Sequence, residues 1–467
     1  MHLQQTFLII HTISLVIVAY LVNDFVPEPY MDEIFHVSQA KQYCKGNFYE
    51  WNPKLTTPPG LYIISNLIIK PLSTIFLHDL CSINFLRAIN ILFGIGLYQI
   101  LWKLIIKLNP FQDRDLLSIN ALILSIFPVG WFYNFLYYTD SGSTFFVLWS
   151  YLLSLEKRYW MSALVGGISV LFRQTNIIWV CFILGTSLLA VLSPNNRESN
   201  IRGRMTYYRG INIRPNIAIQ EIKNLIILSL KNFPRLSIIF FPYFLILSSF
   251  IIFLKWNGGI VLGDKSNHIA VLHIPQIFYF ISFTAIFSAP IILKNEHVER
   301  LLNGILKPRF NRKKKLYLLI IAIIMIFVIN QFTFEHPFLL SDNRHYTFYI
   351  WKNIYRRHYL IKYLLIPAYM VAGWILIESI ALQQSFLWIL IYIMAVCLSL
   401  VPSPLLEFRY FIIPYYIFRL HIGLPSGMRL IMEFLVYATV NYQTGYLFLQ
   451  EPFVWLSEMH KWQRFMW

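Results

Sequence analysis

The chain is 467 residues long, 57% hydrophobic, 17% aromatic and 13% charged, with a mean hydropathy of +0.56. A soluble domain cannot bury that much apolar surface, and runs of about 20 apolar residues recur from end to end, so one integral all-α polytopic membrane domain over 1–467 is expected. The formal charge of +17 does not describe a nucleic-acid-binding face, because the cations gather in two segments between spans, 194–235 and 294–315. Both read as cytoplasmic loops facing anionic membrane lipids.

In chain order, Phe7 to Val22 lacks a basic leader and a small-residue cleavage site, and reads as a retained first helix. The next stretch, "YMDEIFHVSQAKQYCKGNFYEWNPKLTTPPG", carries adjacent acids at Asp32 and Glu33. On a helix opening after Pro29 and closing at Gly46, Asp32, His36, Gln39 and Tyr43 share one polar face. Glu33 points about 100° away, beside Val37, Ala40 and Cys44. Spacing therefore selects Asp32 as the acid facing a polar site. On the alternative reading, both carboxylates only compensate the helix N-terminus.

Segment 61–77 is apolar but interrupted by Asn66, Lys70 and Pro71, and reads as interfacial or re-entrant. Roughly a dozen spans are expected, near 7–23, 85–107, 116–134, 140–155, 159–175, 176–193, 236–254, 276–293, 316–333, 360–382, 386–402, 410–427 and 430–450. With both basic loops cytoplasmic, the loops near 24–84, 134–140, 255–275, 334–358 and 403–410 share the opposite face. The cations Arg344, Lys352, Arg356 and Arg357 are misplaced there unless an anion meets them.

That face collects the polar motifs. In "YYTDSGST", Asp140 either caps a helix or serves a site. In "FRQTNIIW", Arg173 lies between apolar segments, where an arginine needs a partner or a wet cavity. "GDKSNHIAVLH" carries Lys265 and two histidines without zinc-type spacing; "SDNRHYTFYIW" carries Asp342, Arg344 and His345 among aromatics; "LEFRYFIIPYY" carries Glu407 and Arg409. Solvated loop, aromatic belt and mutual neutralisation are the respective plain alternatives. "DRD" at Asp113–Asp115 reads as a solvated cytoplasmic turn. Cys44 and Cys81 share the non-cytoplasmic side, and a disulfide there is open. Acids, cations and aromatics on one face suit group transfer: a carboxylate deprotonates an attacking hydroxyl and cations hold a departing phosphate. No nucleotide-binding glycine loop is present, which points to a lipid-borne donor. A transporter or channel-associated regulatory protein is the rival reading.

The stretch from Pro29 to Tyr62, with "YYTDSGST", "FRQTNI", "GDKSNHIAVLH", "DNRHYTFYIW", "EFRYFIIPYYIFRL" and the ending "QRFMW", resembles the endoplasmic-reticulum α-1,2-glucosyltransferases that use dolichyl phosphate glucose, over nearly the whole chain. The resemblance implies a GT-C glycosyltransferase fold with a helical first luminal loop at 24–84. It implies inverting transfer of glucose from dolichyl phosphate glucose to a dolichol-linked Glc2Man9GlcNAc2 acceptor, with Asp32 as base; no cofactor beyond the lipid-borne donor is expected, and the clustering of the cations argues against a nucleic-acid partner. Lys265, Arg344 and Arg409 are candidates for the donor phosphate. Glu33, His36, Asp140, Arg173, Asp342 and His345 are candidates for sugar or acceptor recognition, and no metal-ligand set is expected.

Overall fold

The computed structural model describes residues 2–192, 215–265, 269–294, 299 and 312–467. The cations of 197–214 and 300–309, on which much of the basic-loop reading rests, lie outside them. The described chain is mainly helical and divides into two compact units, one within 2–269 plus 441–451 and the other within 270–440 plus 452–467.

In the first unit, α1 (His2–Phe25), α4 (Ile83–Leu108), α7 (Thr139–Leu155), α8 (Tyr159–Phe172) and α9 (Ile177–Leu192) are the apolar helices. Exposed Ile, Leu or Phe lie on α1, α4 and α8, as a bilayer-facing surface requires, and α7 and α8 meet through small and polar residues. Ser150 and Ser162, for instance, bond across α7 and α8, with Ser150 Oγ to Ser162 O at 2.7 Å. Two expected spans are broken. Residues 116–134 become α5 (Arg114–Ser125) and α6 (Pro128–Phe132), bent by 65°, and 236–254 becomes Phe233–Ile239 and Phe241–Asn257, bent by 78°. Each break precedes a proline, Pro128 or Pro242, which has no N–H to continue the ladder.

Helix α2 (Glu33–Cys44) begins three residues later than Pro29 would allow and ends where expected, with Gly46 at φ 87°. Helix α3 (Gly60–Phe76) has 17 residues, about 26 Å, short of the ~30 Å hydrocarbon core. Cys44 and Cys81 are disulfide-bonded, tying the end of α2 to the approach to α4. The "DRD" turn is a helix cap: Asp113 accepts from the Asp115 N–H at 3.1 Å on an exposed surface.

In the second unit, Gln276–Ile292, Arg312–Phe332, Ile366–Ala381 and Phe386–Leu400 are the longer apolar helices. Met325, Ile329, Ile366 and Tyr369 form one of its buried clusters. Arg419 and Glu433 make a fully buried bidentate pair, with both bonds at 2.7 Å. The expectation of an all-helical chain needs one amendment. Phe453–Trp455 and Glu458–Gln463 form an antiparallel two-stranded hairpin, rich in aromatic β-formers.

Candidate active site

The first unit's polar end is assembled around Glu33. Arg87 donates Nε to Glu33 Oε1 at 2.8 Å and Nη2 to Oε2 at 2.7 Å, and both side chains are essentially without solvent exposure. The remaining guanidinium hydrogens go to Asn23 Oδ1 at 3.0 Å, Val26 O at 2.7 Å and Glu28 O at 3.2 Å. The Tyr137 and Tyr30 N–H groups donate to the same carboxylate at 2.7 and 3.1 Å. Five guanidinium donors and four carboxylate acceptor positions are thus all used. Glu33, expected among the substrate contacts, is instead a strut joining the end of α1, the start of α2, α4 and the Tyr137 turn. It has no lone-pair position left for a sugar hydroxyl.

Asp32 is in a different situation. It stands at the N-cap position of α2, half-buried, and its N–H donates to Tyr138 Oη at 3.0 Å. The residue before it, Met31, has φ 57°, a left-handed conformation costing a non-glycine residue about 1 kcal/mol. The Tyr30–Glu33 bonds bracket that turn, with Glu33 N–H to Tyr30 O at 3.1 Å as the return link. One acid is therefore consumed in holding the backbone that presents the other.

The rest of the expected polar face of α2 is buried. His36 Nδ1 lies 2.7 Å from Tyr62 Oη, with the Tyr138 ring 5.7 Å away. Gln39 clamps the following loop, donating to Glu50 O at 2.7 Å and accepting from the Asn52 N–H at 2.9 Å. From α4, Asn90 Nδ2 donates to Leu136 O at 2.6 Å and Tyr138 O at 2.8 Å, fixing the strand-like turn that carries the tyrosines.

Asp140 is not a cap. It lies in the first turn of α7 and its Oδ1 accepts from Arg173 Nη1, so the arginine that needed a partner has one. Its other oxygen, Oδ2, is buried and has no hydrogen-bond partner among the described residues. Arg173 sits in the extended break before the turn Gln174–Asn176, where Gln174 donates to Thr56 O at 2.8 Å and Asn176 to Ser143 Oγ at 2.7 Å. The "GDK" loop reaches the same place. Asp264 N–H donates to Pro53 O at 2.7 Å and Leu262 N–H to Thr56 O at 3.3 Å. Gly263, at φ 63°, packs so tightly on the Pro53 and Leu55 carbonyls that a Cβ has no room. Lys265 is exposed, with Nζ donating to Asn257 O. The segments carrying Asp32, His36, Arg173 and Lys265 are thus all bonded to the loop at 50–56, and Asp140 joins through Arg173.

In the second unit the other candidates form two local pairs. Arg344 donates Nε to Asp342 Oδ1 at 2.8 Å and Nη2 to Oδ2 at 2.7 Å, and His345 Nε2 lies 3.6 Å from the same carboxylate. Burial works to raise the Asp342 carboxyl, but Arg344 and His345 outweigh it and hold the carboxyl below its ordinary value. Arg409 pairs with Glu407 in the same i, i+2 manner. Arg356 meets Glu335 at 3.3 Å, so two cations of the 334–358 loop find their anions locally. Among the described residues no group of three or more His, Cys, Asp or Glu is placed to hold a metal ion.

Arg87, Asn90, Tyr62 and Tyr138 were not anticipated. For Arg87 the signal was available, since an arginine within an apolar span calls for a partner just as Arg173 does. Its partner, 54 residues away, was not readable from spacing.

The chain is 42% identical to the rat (Rattus norvegicus) Dol-P-Glc:Glc(2)Man(9)GlcNAc(2)-PP-Dol alpha-1,2-glucosyltransferase, covering 94% of this chain and 93% of the relative. It is 41% identical to a human (Homo sapiens) protein of that name over the same shares, and 35% identical to one from Arabidopsis thaliana over 96% of each chain. None of these names describes a transporter or a channel regulator. A solved oligosaccharyltransferase from Archaeoglobus fulgidus aligns at a TM-score of 0.37 and 13% identity, over 93% of this chain and 55% of its own, so the assignment rests on sequence. The profile of the DIE2/ALG10 family matches residues 26–420, and the chain belongs to that family.

Proposed function

We propose that the chain is an inverting α-1,2-glucosyltransferase, moving glucose from dolichyl phosphate glucose to Glc2Man9GlcNAc2-diphosphodolichol as the last step of lipid-linked oligosaccharide assembly. The observation that carries the activity is the 41–42% identity to relatives named for that reaction over 94% of this chain. Inversion needs one base: an acceptor hydroxyl attacks the anomeric carbon, a carboxylate takes its proton, and dolichyl phosphate departs. Asp32 is that base. The contrast between the two adjacent acids supports the choice, because Glu33 is saturated by Arg87 and two backbone N–H groups while Asp32 stands half-buried at the helix start.

The partnerless Oδ2 of Asp140, paired through its other oxygen to Arg173, is suited to accept from a sugar hydroxyl, and His36 borders the same tyrosine cluster. Lys265, Arg344 and Arg409 are the cations suited to the donor phosphate. The GT-C architecture, as a single membrane domain, follows from the family resemblance. Its site belongs to the lumen of the endoplasmic reticulum, and the Cys44–Cys81 bond supports an oxidising compartment for the 24–84 loop.

The direct test is transfer by purified protein between the two defined lipids, read by linkage analysis. A terminal α-1,2-glucose on the acceptor is expected. Absence of product, or another linkage, overturns the reading.

A further inference from the structure

The ending "QRFMW" is one of the chain's motifs but has no role in the reaction above. In the structure the hairpin and the residues that follow it, 464–467, pack on Asn343–Tyr346. Trp455 Nε1 donates to Asn343 Oδ1 at 2.8 Å. Arg344 donates Nη1 to Gln463 Oε1 at 2.7 Å, and its guanidinium lies 4.5 Å from the centre of the Trp455 ring. Met466 N–H donates to Arg344 O at 2.8 Å, closing a parallel bridge between His345 and Met466. His345 Nδ1 is 2.7 Å from Trp467 O, and the Tyr346 ring stands 4.5 Å from both Phe465 and Trp467. Trp467 also reaches the ring of Phe408, next to Arg409, at 6.0 Å.

Gln463 and Met466 are almost completely buried, so the contact is a packed interface and not a surface association. An arginine is a long, rotamer-rich side chain, and holding it in one orientation is the cost a binding site otherwise meets when ligand arrives. Here Asp342 holds one edge of the guanidinium, Gln463 another and Trp455 a face.

We propose that the C-terminal hairpin is a positioning strap, presetting Arg344 for the phosphodiester of the prenol-linked sugar donor, with Gln463 and Trp455 as positioning residues. The proposal rests on the donor-phosphate reading of Arg344 given above. It also sets sidedness: the hairpin lies on the same membrane face as the 334–358 loop, the lumen in that reading. The 24-residue helix Gly427–Gln450, about 36 Å long, is sufficient to bring the chain back to that face.

The test uses full-length protein in reconstituted transfer, varying donor at saturating acceptor, with three variants. Gln463→Met keeps the side-chain length without the acceptor oxygen, and is expected to raise the donor KM about 10-fold while the acceptor KM stays within about 2-fold. Trp455→Phe keeps an aromatic face over the Arg344 guanidinium and is expected to hold the donor KM within about 3-fold of wild type. Arg344→Met is expected to raise the donor KM at least as much as Gln463→Met. An unchanged donor KM in Gln463→Met beside a raised one in Arg344→Met overturns the strap alone. An unchanged donor KM in Arg344→Met overturns the phosphate reading and the strap with it. Independently of kinetics, a tag in the turn at Leu456–Ser457 is expected to resist protease in sealed microsomes, and its digestion overturns the sidedness.

Discussion

The polar end of the first unit and the Arg344 and Arg409 segments of the second pair their arginines with acids in opposite ways, although the second unit also holds the buried long-range pair of Arg419 and Glu433. In the first, Arg87 reaches a carboxylate 54 residues away, deep inside the fold, and every hydrogen-bonding position of both groups is occupied. In the second, Arg344 and Arg409 take carboxylates two residues away, and both pairs keep part of their surface in contact with solvent. A long-range pair of this kind joins elements that would otherwise drift apart, so breaking it leaves a buried charge and loosens the backbone around it. A local pair orients one side chain and stays hydrated when broken. The first therefore bears on the integrity of the fold around Asp32, the second on the orientation of a single side chain.

The comparison can be broken most decisively at Glu33. Glu33→Gln removes the negative charge that Arg87 requires, and the expected cost is about 3–5 kcal/mol, read as loss of folded protein in thermal unfolding and in cellular abundance. A variant of wild-type stability and low activity would return Glu33 to the substrate contacts.

Next in size is a pH effect in the second unit. His273 is buried, and burial lowers its imidazole from the ordinary 6.5 to about 4, against the pull of backbone carbonyls. The unfolded chain therefore binds this proton before the folded one does. Stability is full above 6.5, falls as pH drops toward 4, and the total loss is about 3 kcal/mol. Unfolding followed across that window should show the decline, and His273→Gln should flatten it.

The smallest effect is expected at Asp342. Its carboxyl is held below the ordinary value of 3.8, so its contribution is complete above that value and is lost only as pH falls through the lower folded one. Between pH 5 and 8 it is constant. Asp342→Asn should cost only about 1 kcal/mol of stability yet weaken donor binding, the reverse of the Glu33→Gln pattern. Equal stability losses in the two variants would erase the distinction between the long-range pair and the local one.

What was legible in the sequence follows the same division. Local signals carried: the end of α2 at Gly46, the separation of Asp32 from Glu33 by one helical step, the need of Arg173 for a partner, and the neutralising pair at Glu407 and Arg409. Proline breaks within two expected spans were also in the sequence, but hydropathy averaged over a window conceals them. The partner of Arg87, the clamp from Gln39 to the 50–52 backbone and the hairpin lying along Asn343–Tyr346 were not legible, because each depends on which distant segment the fold brings alongside. For Glu33 the rotation away from the polar face of α2 is a local signal, whereas the buried arginine it turns toward is not.

The central claim is that Asp32 does the chemistry that Glu33 only supports, and purified Asp32→Asn protein tests it directly. Transfer from dolichyl phosphate glucose should fall by about 100-fold or more, as expected for a lost general base, with abundance and thermal stability close to wild type. Near-normal transfer by Asp32→Asn would contradict the account.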